Sequence, residues 1–365
     1  MAVSRLAVVG TGLIGASVGL AAKRAGVERV SGFDPDPAAL ALAAERGAID
    51  EPGERLEDAL LDAELAVVAA PVATLPSQVA AVVEASGERC TVTDVGSTKG
   101  PVCSAVTHPR FIGGHPVAGS EAHGPEHARA ELFEGATWFL TPVAATDPQR
   151  YRTLHGFVGS LGAVPVAVDP AAHDRLLALT SHLPHALANL LLNQAGGTRV
   201  EGHEPLAAAG GSLRDMTRVA GANPRIWVDI FLDNAPALRA ALAEHRRLVE
   251  QLEGALAAGD AGFLARWIGE ASGNRRRLIA DAYPDPGHLQ RLLVRVPDRP
   301  GVLAGITQAL GAERINIEDF ELQHHSPERG GLLTLLVTGE EDAARAAALL
   351  ERQGYGVDVS PVLGE

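Results

Sequence analysis

Histidines in two short stretches of the sequence have the chemistry needed to accept a proton. The stretch GGHPVAG places His115 directly after two glycines and before Pro116, and the stretch SHLPH places His182 and His185 three residues apart. A neutral imidazole takes up a proton near neutral pH, so His115 is a candidate general base whose preceding glycines permit close approach of a substrate. The alternative for His115 is a turn histidine bonded to nearby backbone.

Arginines in the stretch SLRDMTR are suited to binding an anionic substrate. Arg214 and Arg218 lie four residues apart, which places them on one face of a helix, and Asp215 follows Arg214. A planar guanidinium binds a carboxylate through two parallel hydrogen bonds. The spacing favours Arg218 as the carboxylate ligand, with Arg214 and Asp215 as a supporting ion pair. The alternative is a solvated helix face.

Two pairs of histidines have spacings that also suit a metal ion. His182 and His185 are three residues apart, and His123 and His127 are four apart, on either side of Pro125. A metal site needs at least a third ligand, and we predict no metal. His123 and His127 are interpreted as surface residues.

The first 34 residues predict the start of a dinucleotide-binding fold. An apolar run from Leu6 to Val9 precedes the spacing G-x-G-x-x-G, a helical pattern follows to Ala25, and a second apolar run ends at Asp34. In such a turn the helix N-terminus binds a pyrophosphate, and the carboxylate accepts hydrogen bonds from a ribose diol. A carboxylate also repels a 2′-phosphate, which favours NAD over NADP. The alternative for Asp34 is a helix cap. The predicted cofactor-binding residues are Gly10, Gly12, Leu13, Ile14, Gly15, Asp34 and Pro71.

Alternating strand and helix signals continue to about residue 168. Apolar runs at 65–71, 91–96, 111–114 and 137–142 are separated by helical segments, which predicts an α/β domain of Rossmann type with a mostly parallel sheet over residues 1–168. Ligands bind beyond the carboxyl ends of such strands, where the loops that carry Ser97, in DVGSTKG, and His115 are expected to meet. For Ser97, a helix N-cap is the alternative.

The rest of the chain predicts two further domains. Residues 169–285 repeat apolar positions at spacings of three and four, which predicts an all-helical domain whose apolar surface forms a homodimer interface. After the linker YPDPG, residues 288–365 predict a βαββαβ unit. This unit carries DRPGVL between its first strand and helix and resembles ACT domains, which are small regulatory modules that commonly bind amino acids.

Composition excludes several classes of protein. The 365 residues are 46% hydrophobic, carry a formal net charge of −14 and include two cysteines, Cys90 and Cys103. Such a chain is expected to be globular, and its acidic balance argues against nucleic acid or a membrane surface as the main partner. The glycine-rich apolar stretch 6–22 is short for a membrane span. So few cysteines indicate a reducing, cytoplasmic location.

Four motifs of the chain resemble those of one enzyme family. DVGSTKG, GGHPVAGSE, SHLPH and RDMTR follow in this order within residues 1 to about 285, and together they resemble prephenate dehydrogenases, which include arogenate-using relatives. The resemblance implies NAD-dependent oxidative decarboxylation of prephenate to 4-hydroxyphenylpyruvate in tyrosine synthesis.

The resemblance also implies roles for individual residues and domains. It implies that His115 polarises or deprotonates the ring hydroxyl and that Ser97 orients the substrate and nicotinamide. No helical chorismate mutase segment precedes the first strand, so only the dehydrogenase reaction is expected. Tyrosine is the expected effector of residues 288–365, and the alternative is a module that only assembles subunits.

The resemblance also supplies substrate-binding candidates but leaves the substrate itself open. Trp227 is either a core residue or a wall over the substrate. Glu121 either gates the pocket or attracts the amino group of arogenate, so prephenate and arogenate stay alternatives. The candidate substrate-binding residues are His185, Arg218, Glu121, Ser120 and Trp227.

Two other functions compete with this interpretation. A β-hydroxyacid dehydrogenase also joins a Rossmann domain to helices, but that class usually depends on a lysine in its helical domain, and residues 169–285 contain no lysine. An amino-acid sensor that has lost catalysis does not explain why His115, His185 and Arg218 are all present.

Overall fold

The computed structural model describes residues 3–118, 122–283, 285–326 and 330–363. The chain divides into two units, residues 1–247 and 248–365, and each is described by itself. The predicted domain boundaries, at 168 and at 285 to 288, stay predictions.

The first unit is built on an eight-stranded sheet. Its strand order is β3-β2-β1-β4-β5-β6-β7-β8, and neighbouring strands are parallel except for β6 and β7, which pair antiparallel. The mostly parallel sheet is therefore confirmed, with one reversal that the sequence analysis did not predict. The strands are β1 (Arg5–Val9), β2 (Arg29–Phe33), β3 (Glu51–Pro52), β4 (Leu65–Val68), β5 (Thr91–Asp94), β6 (Phe111–Pro116), β7 (Thr137–Thr141) and β8 (Val164–Ala167).

Helices cover both faces of this sheet. Along β1, Leu6 and Val8 pack into one apolar cluster, whereas Ala7 and Val9 pack into another, because successive side chains of a strand point to opposite faces. A strand buried on both faces reads as a continuous apolar run, which is how β1 appears in the sequence. The helices are α1 (Leu13–Arg24), α2 (Pro37–Glu45), α3 (Leu56–Leu60), α4 (Leu75–Ala85), α5 (Gly100–Ala105) and α6 (Pro148–Ser160).

A helical region follows the sheet, as predicted. Asp169 caps its first helix, since the Asp169 carboxylate accepts hydrogen bonds from the amides of Ala171 and Ala172, both at 3.0 Å. The boundary between the two units falls within the helix Ala235–Ala258, and the last helix of this region belongs to the second unit. The helices are α7 (Pro170–Leu177), α8 (Leu183–Gly197), α9 (Gly211–Thr217), α10 (Pro224–Asp233), α11 (Ala235–Ala258) and α12 (Ala261–Ala282).

A π-helical turn, Ala178–His182, joins α7 to α8 and carries the helix through Pro184. The amide of Leu183 donates to the carbonyl of Ala178, five residues back. Proline has no amide hydrogen and disturbs the regular ladder, and π-turns of this kind recur where a helix accommodates such a break at a functional site. The turn sets the direction of the two histidines in SHLPH.

The second unit contains the predicted βαββαβ arrangement. Its four strands form an antiparallel sheet in the order β10-β11-β9-β12, and α13 and α14 pack on it around buried Leu292, Ile306, Leu335 and Leu350. Among the described residues, no helix combines the length and apolar character that a bilayer crossing requires. The elements are β9 (Leu289–Val296), α13 (Val302–Ala312), β10 (Asp319–Ser326), β11 (Gly330–Thr338), α14 (Glu340–Arg352) and β12 (Gly356–Pro361).

Candidate active site

The turn between β1 and α1 uses its three glycines in two ways. A Cβ atom at Gly10 would lie 2.2 Å from the carbonyl oxygen of Ala69, and one at Gly15 would lie 1.9 Å from the carbonyl oxygen of Gly10. Both positions therefore need glycine for close packing. At Gly12 a Cβ atom would meet nothing within 4 Å, so this glycine borders open space. Gly12 also precedes α1 without capping it by a side chain, which leaves the first-turn amides able to bind a phosphate.

Asp34 directly follows β2 and lies beside this turn. Its carboxylate accepts hydrogen bonds from the amide of Thr11 at 2.6 Å and from the Thr11 hydroxyl at 3.1 Å. The cap of α2 is Asp36, whose carboxylate accepts from the amide of Ala38 at 2.9 Å. Asp34 therefore does not cap α2, although its second carboxylate oxygen accepts from the amide of Asp36 at 2.9 Å within the DPDP turn. Its place after β2 fits a ribose-binding carboxylate.

A cleft of about 540 Å³ lies over the carboxyl ends of the strands in the first unit. It brings together most of the predicted cofactor residues with both predicted catalytic residues. Helix α10 contributes Arg225, Ile226, Asp229 and Ile230 to the same cleft, which the sequence analysis did not single out. The predicted residues that line the cleft are Gly12, Leu13, Ile14, Gly15, Pro71, Ser97 and His115.

His115 belongs to β6 itself and pairs with Phe139 of β7, so its predicted place on a loop beyond the strand is wrong. The two glycines before it serve packing within the sheet rather than substrate approach. A Cβ atom at Gly113 would lie 2.3 Å from Oγ1 of Thr141, and one at Gly114 would lie 2.6 Å from the carbonyl oxygen of Asp94. The strand thus holds the imidazole rigidly at the edge of the cleft.

A buried ion pair supports this strand from below. The ammonium of Lys99 contacts the carboxylate of Asp94, donates to the carbonyl of Gly114 at 2.8 Å, and is fully buried, as is Asp94. Asp94 also accepts from the amides of Gly96 at 2.8 Å and Gly114 at 3.1 Å. These contacts tie the loop after β5, which carries Ser97, to the strand that carries His115.

Ser97 is half-buried at the edge of the cleft. Helix α5 begins at Gly100 and its cap position is Lys99, so the reading of Ser97 as the N-cap of this helix is wrong. The amides of Lys99 and Gly100 donate instead to the carboxylate of Asp174, at 2.8 and 2.7 Å. Ser97 is thereby left to face the cleft.

Two residues that the sequence analysis did not single out continue from His115 into the protein. Nδ1 of His115 lies 2.9 Å from Nε2 of His173, and Nδ1 of His173 lies 2.8 Å from Oδ1 of Asp174. We call His115, His173 and Asp174 the histidine–aspartate chain. The local signal for it was a histidine and an aspartate side by side at the start of the helix that precedes SHLPH.

The electrostatic environment keeps His115 neutral. Burial lowers its pKa well below the usual histidine value, and the neighbouring His173, Lys99 and His182 lower it further. Burial raises the pKa of Asp174, but hydrogen bonds from His173 and from the amides of Lys99 and Gly100 outweigh that effect, so the pKa lies below the usual aspartate value. At neutral pH, His115 is therefore a free base and Asp174 is ionised.

His182 and His185 have different surroundings. His182 is buried, its Nδ1 lies 3.0 Å from Nδ2 of Asn234, and burial lowers its pKa to about 4. The imidazole of His185 stacks on Trp227, with ring centroids 3.4 Å apart and planes 26° apart. Trp227 is half-buried in α10 and also contacts Phe231 edge-on. Neither His185 nor Trp227 is among the described residues that line the cleft, and their substrate contacts stay predictions.

Arg218 does not share a helix face with Arg214. Helix α9 ends at Thr217, and Arg218 begins a 3₁₀ turn, Arg218–Gly221, that packs against α8. The continuous helix predicted here is therefore wrong, because the helix ends between the two arginines. Arg218 is exposed and outside the described lining of the cleft, so its role as the carboxylate ligand stays a prediction.

Two of the predicted substrate-binding residues, Ser120 and Glu121, lie outside the described residues. His123 and His127 are both exposed, as the sequence predicted. His123 also lines the cleft, with its Nε2 3.1 Å from Nδ2 of Asn223, and His127 lies in a 3₁₀ turn. In the part of the chain that the structure describes, no group of three or more His, Cys, Asp or Glu side chains is placed to hold a metal ion.

The fold and the cleft together define an NAD-dependent dehydrogenase, because a glycine-rich turn, a carboxylate after β2 and a neutral buried histidine meet at one edge of a doubly wound sheet. Residues 18–167 match the family "Prephenate dehydrogenase, nucleotide-binding domain", and residues 169–270 match "Prephenate dehydrogenase, dimerization domain". Residues 290–354 match "ACT domain". The chain belongs to the prephenate dehydrogenase family.

Individual relatives agree with this assignment. The chain is 31% identical to the prephenate dehydrogenase of Bacillus subtilis over 94% of each protein. It resembles the structure of Aquifex aeolicus prephenate dehydrogenase in complex with hydroxyphenyl propionate and NAD⁺, with 28% identity, a TM-score of 0.71 and coverage of 76% of this chain and 99% of that one. It also resembles Synechocystis arogenate dehydrogenase, with 30% identity, a TM-score of 0.69 and coverage of 75% and 100%.

The lowered pKa of His115 predicts how activity depends on pH. A base whose pKa is lowered keeps its lone pair to lower pH. The value of kcat/KM for the substrate that the enzyme oxidises is therefore expected to stay constant as pH falls to 6.5 and to decline only below that value. Initial rates from pH 5 to 8 at saturating NAD⁺ measure this, with circular dichroism at each pH as the control for unfolding. A decline centred above pH 6.5 in a folded enzyme contradicts the prediction.

Proposed function

We propose that this chain catalyses the NAD⁺-dependent oxidative decarboxylation of prephenate to 4-hydroxyphenylpyruvate. The observation that carries the proposal is the neutral imidazole of His115 in the cleft that also contains the glycine-rich turn. Membership of the family supports it, as does the likeness to an Aquifex enzyme bound to NAD⁺ and a hydroxyphenyl compound.

The residues around the glycine-rich turn would hold the cofactor. Open space at Gly12, the first-turn amides of α1 and the carboxylate of Asp34 fit a pyrophosphate and an adenosine ribose without a 2′-phosphate. NAD⁺, when bound, supplies the acceptor for the hydride that leaves the substrate.

The substrate's own structure determines what the protein must add. Prephenate carries a ring hydroxyl, a ring carboxylate and a pyruvyl carboxylate. When the carbinol C–H bond breaks with its electron pair as hydride, the hydroxyl proton moves to Nε2 of His115 and a ring ketone forms. The bond to the ring carboxylate then breaks, carbon dioxide leaves, and the electron pair makes the ring aromatic. The phenolate oxygen recovers the proton from His115, so the base is regenerated within one turnover.

The carboxylates of the substrate need cations in a chain of net charge −14. We assign Arg218 to one of them, because a guanidinium forks onto a carboxylate and because its turn packs against α8, the helix of His185. Arg225 supplies a second candidate, since it lines the described cleft. Ser97, in the loop after β5, is assigned to orient the substrate and the nicotinamide.

Arogenate is the second candidate substrate. It has an amino group in place of the side-chain ketone, and the likeness to Synechocystis arogenate dehydrogenase favours testing it. The proposal is tested by measuring NAD⁺ and NADP⁺ reduction with prephenate and with arogenate. We expect turnover of prephenate with NAD⁺. A purified, folded chain that reduces neither cofactor with either substrate contradicts the proposal.

The helical region is proposed to form a homodimer. Residues 169–270 match a dimerization domain, and its helices in the first unit leave large apolar side chains exposed, including Leu190, Met216, Val228 and Leu232. We also propose a cytoplasmic location, since Cys90 and Cys103 are both buried free thiols, a state that a reducing compartment preserves.

Replacement of the base is the sharpest test of the assigned chemistry. His115→Asn is expected to lower kcat with prephenate by about 10² or more with a modest change in KM, because it removes proton transfer and not binding. His155→Asn is the matched control. His155 lies in α6, its ring lies near that of Tyr151, and it is not among the residues that line the cleft. A His115→Asn enzyme nearly as fast as wild type would make His115 structural.

A pair of arginine variants locates the carboxylate site. Arg218→Ala is expected to raise the KM for prephenate by about tenfold or more with a smaller effect on kcat, as expected for loss of a charge-assisted hydrogen bond worth about 1.5–3 kcal/mol. Arg225→Ala is the comparison, because Arg225 lines the cleft. If Arg225→Ala raises KM and Arg218→Ala does not, the carboxylate site lies at Arg225 instead.

Tyrosine is the proposed effector of the ACT domain. A cavity of about 170 Å³ in the second unit lies between the loop after β9 and the start of α13, with Arg299 and Gly301 in its lining. Titration calorimetry of the full chain with tyrosine is expected to show saturable binding that Arg299→Ala weakens, with phenylalanine as the comparison ligand. Absence of binding by any aromatic amino acid would leave the domain with an assembly role only.

A further inference from the structure

The histidine–aspartate chain is buried along its whole length. His173 is fully buried, and Asp174 and His115 are 7% and 8% exposed. The imidazole of His173 is fixed between two rings, edge-on to His115 with centroids 5.1 Å apart and edge-on to Phe139 with centroids 5.3 Å apart. Water therefore does not compete for these hydrogen bonds, and each ring nitrogen has a defined partner.

The direction of every hydrogen bond in the chain follows from its far end. Asp174 also accepts from the amides of Lys99 and Gly100, which can only donate, so its carboxylate acts as an acceptor throughout. Nδ1 of His173 must then carry a hydrogen, and with a single hydrogen on this ring Nε2 of His173 offers only a lone pair. In that arrangement Nδ1 of His115 donates to Nε2 of His173, which leaves the lone pair of His115 on Nε2.

We propose that His173 and Asp174 are positioning residues that fix His115 as its Nδ1–H tautomer and direct the Nε2 lone pair at the substrate hydroxyl. The inference rests on the proposed function for the identity of that hydroxyl, although the tautomer itself does not depend on it. The ionised Asp174 also stabilises the positive charge that the two imidazoles share once His115 has taken the proton. An aspartate plays the same part toward a histidine base in serine hydrolases, on unrelated folds.

His173 is the residue on which the inference can be tested. Asp174 variants would also release the amides of Lys99 and Gly100, so their effects would mix positioning with folding. His173→Leu removes the acceptor for Nδ1 of His115 and keeps an apolar side chain of similar reach. His173→Gln keeps a side-chain carbonyl oxygen that can accept from Nδ1, and Phe139→Leu loosens the packing around His173 without touching its hydrogen bonds.

We expect His173→Leu to lower kcat for NAD⁺ reduction by about 10- to 100-fold with KM for prephenate and NAD⁺ within about threefold of wild type, because the wrong tautomer cannot accept the proton. His173→Gln is expected to recover a large part of that loss, and Phe139→Leu, which loosens the same packing but keeps the hydrogen bonds, to lose less kcat than His173→Leu. Loss of kcat that is equal in the Leu and Gln variants and is matched by Phe139→Leu would show a packing role and overturn the inference.

A second readout does not need activity. In protein labelled with ¹⁵N at histidine, the signals of His115 are identified by their loss in His115→Asn, and we expect a protonated Nδ1 and an unprotonated Nε2 at neutral pH. His173→Leu is expected to mix or reverse the two tautomers. An Nε2–H tautomer in wild type overturns the inference. Failure of wild type to oxidise prephenate or arogenate, with the tautomer as expected, overturns the proposed function alone.

Discussion

The carboxylate of Asp174 joins the two parts of the first unit on which the site depends. It lies in α7, at the start of the helical region, and it accepts the amides of Lys99 and Gly100 in the loop after β5. One carboxylate thereby caps the first turn of α5 from another part of the chain and holds His173 against His115. Because the interaction is buried and charge-assisted, it fixes α7 against the loop after β5, beside the cleft.

Burial makes these charges expensive unless they are fully bonded, and the structure satisfies them together. Asp94 and Lys99 lie side by side below β6, and each has further backbone partners. Removing one member of such a pair leaves an uncompensated charge, which costs about 3–5 kcal/mol. The arrangement therefore couples the geometry of the cleft to the stability of the sheet beneath it. Burial beside this arrangement, with the Lys99 ammonium nearby, also lowers the pKa of His115 and keeps it a free base.

Local sequence patterns predicted those parts of the site that depend on local structure. The glycine-rich turn and the histidine of GGHP line the cleft, and the carboxylate after β2 lies beside that turn, because strand, turn and helix dictate such places within about 30 residues. The reversal of β7, the packing role of Gly113 and Gly114, and the partner of His115 were not predictable in this way. His173 lies 58 residues from His115, and Arg225 enters the cleft from α10, so only the tertiary fold brings them near. The end of α9 before Arg218 shows the same limit, since spacing alone cannot show where a helix stops.

The burial of Lys99 has a practical consequence, because the chain contains two lysines, Lys23 and Lys99. Lys23 is partly accessible beside Asp50, whereas the Lys99 side chain has no exposed surface. An amine-directed acylating reagent can therefore reach Lys99 only when the loop after β5 opens. The rate at which the Lys99 peptide becomes labelled is a direct measure of the free energy of that opening. Labelling of the Lys99 amine therefore reports how often the buried interior beside the cleft becomes exposed to solvent.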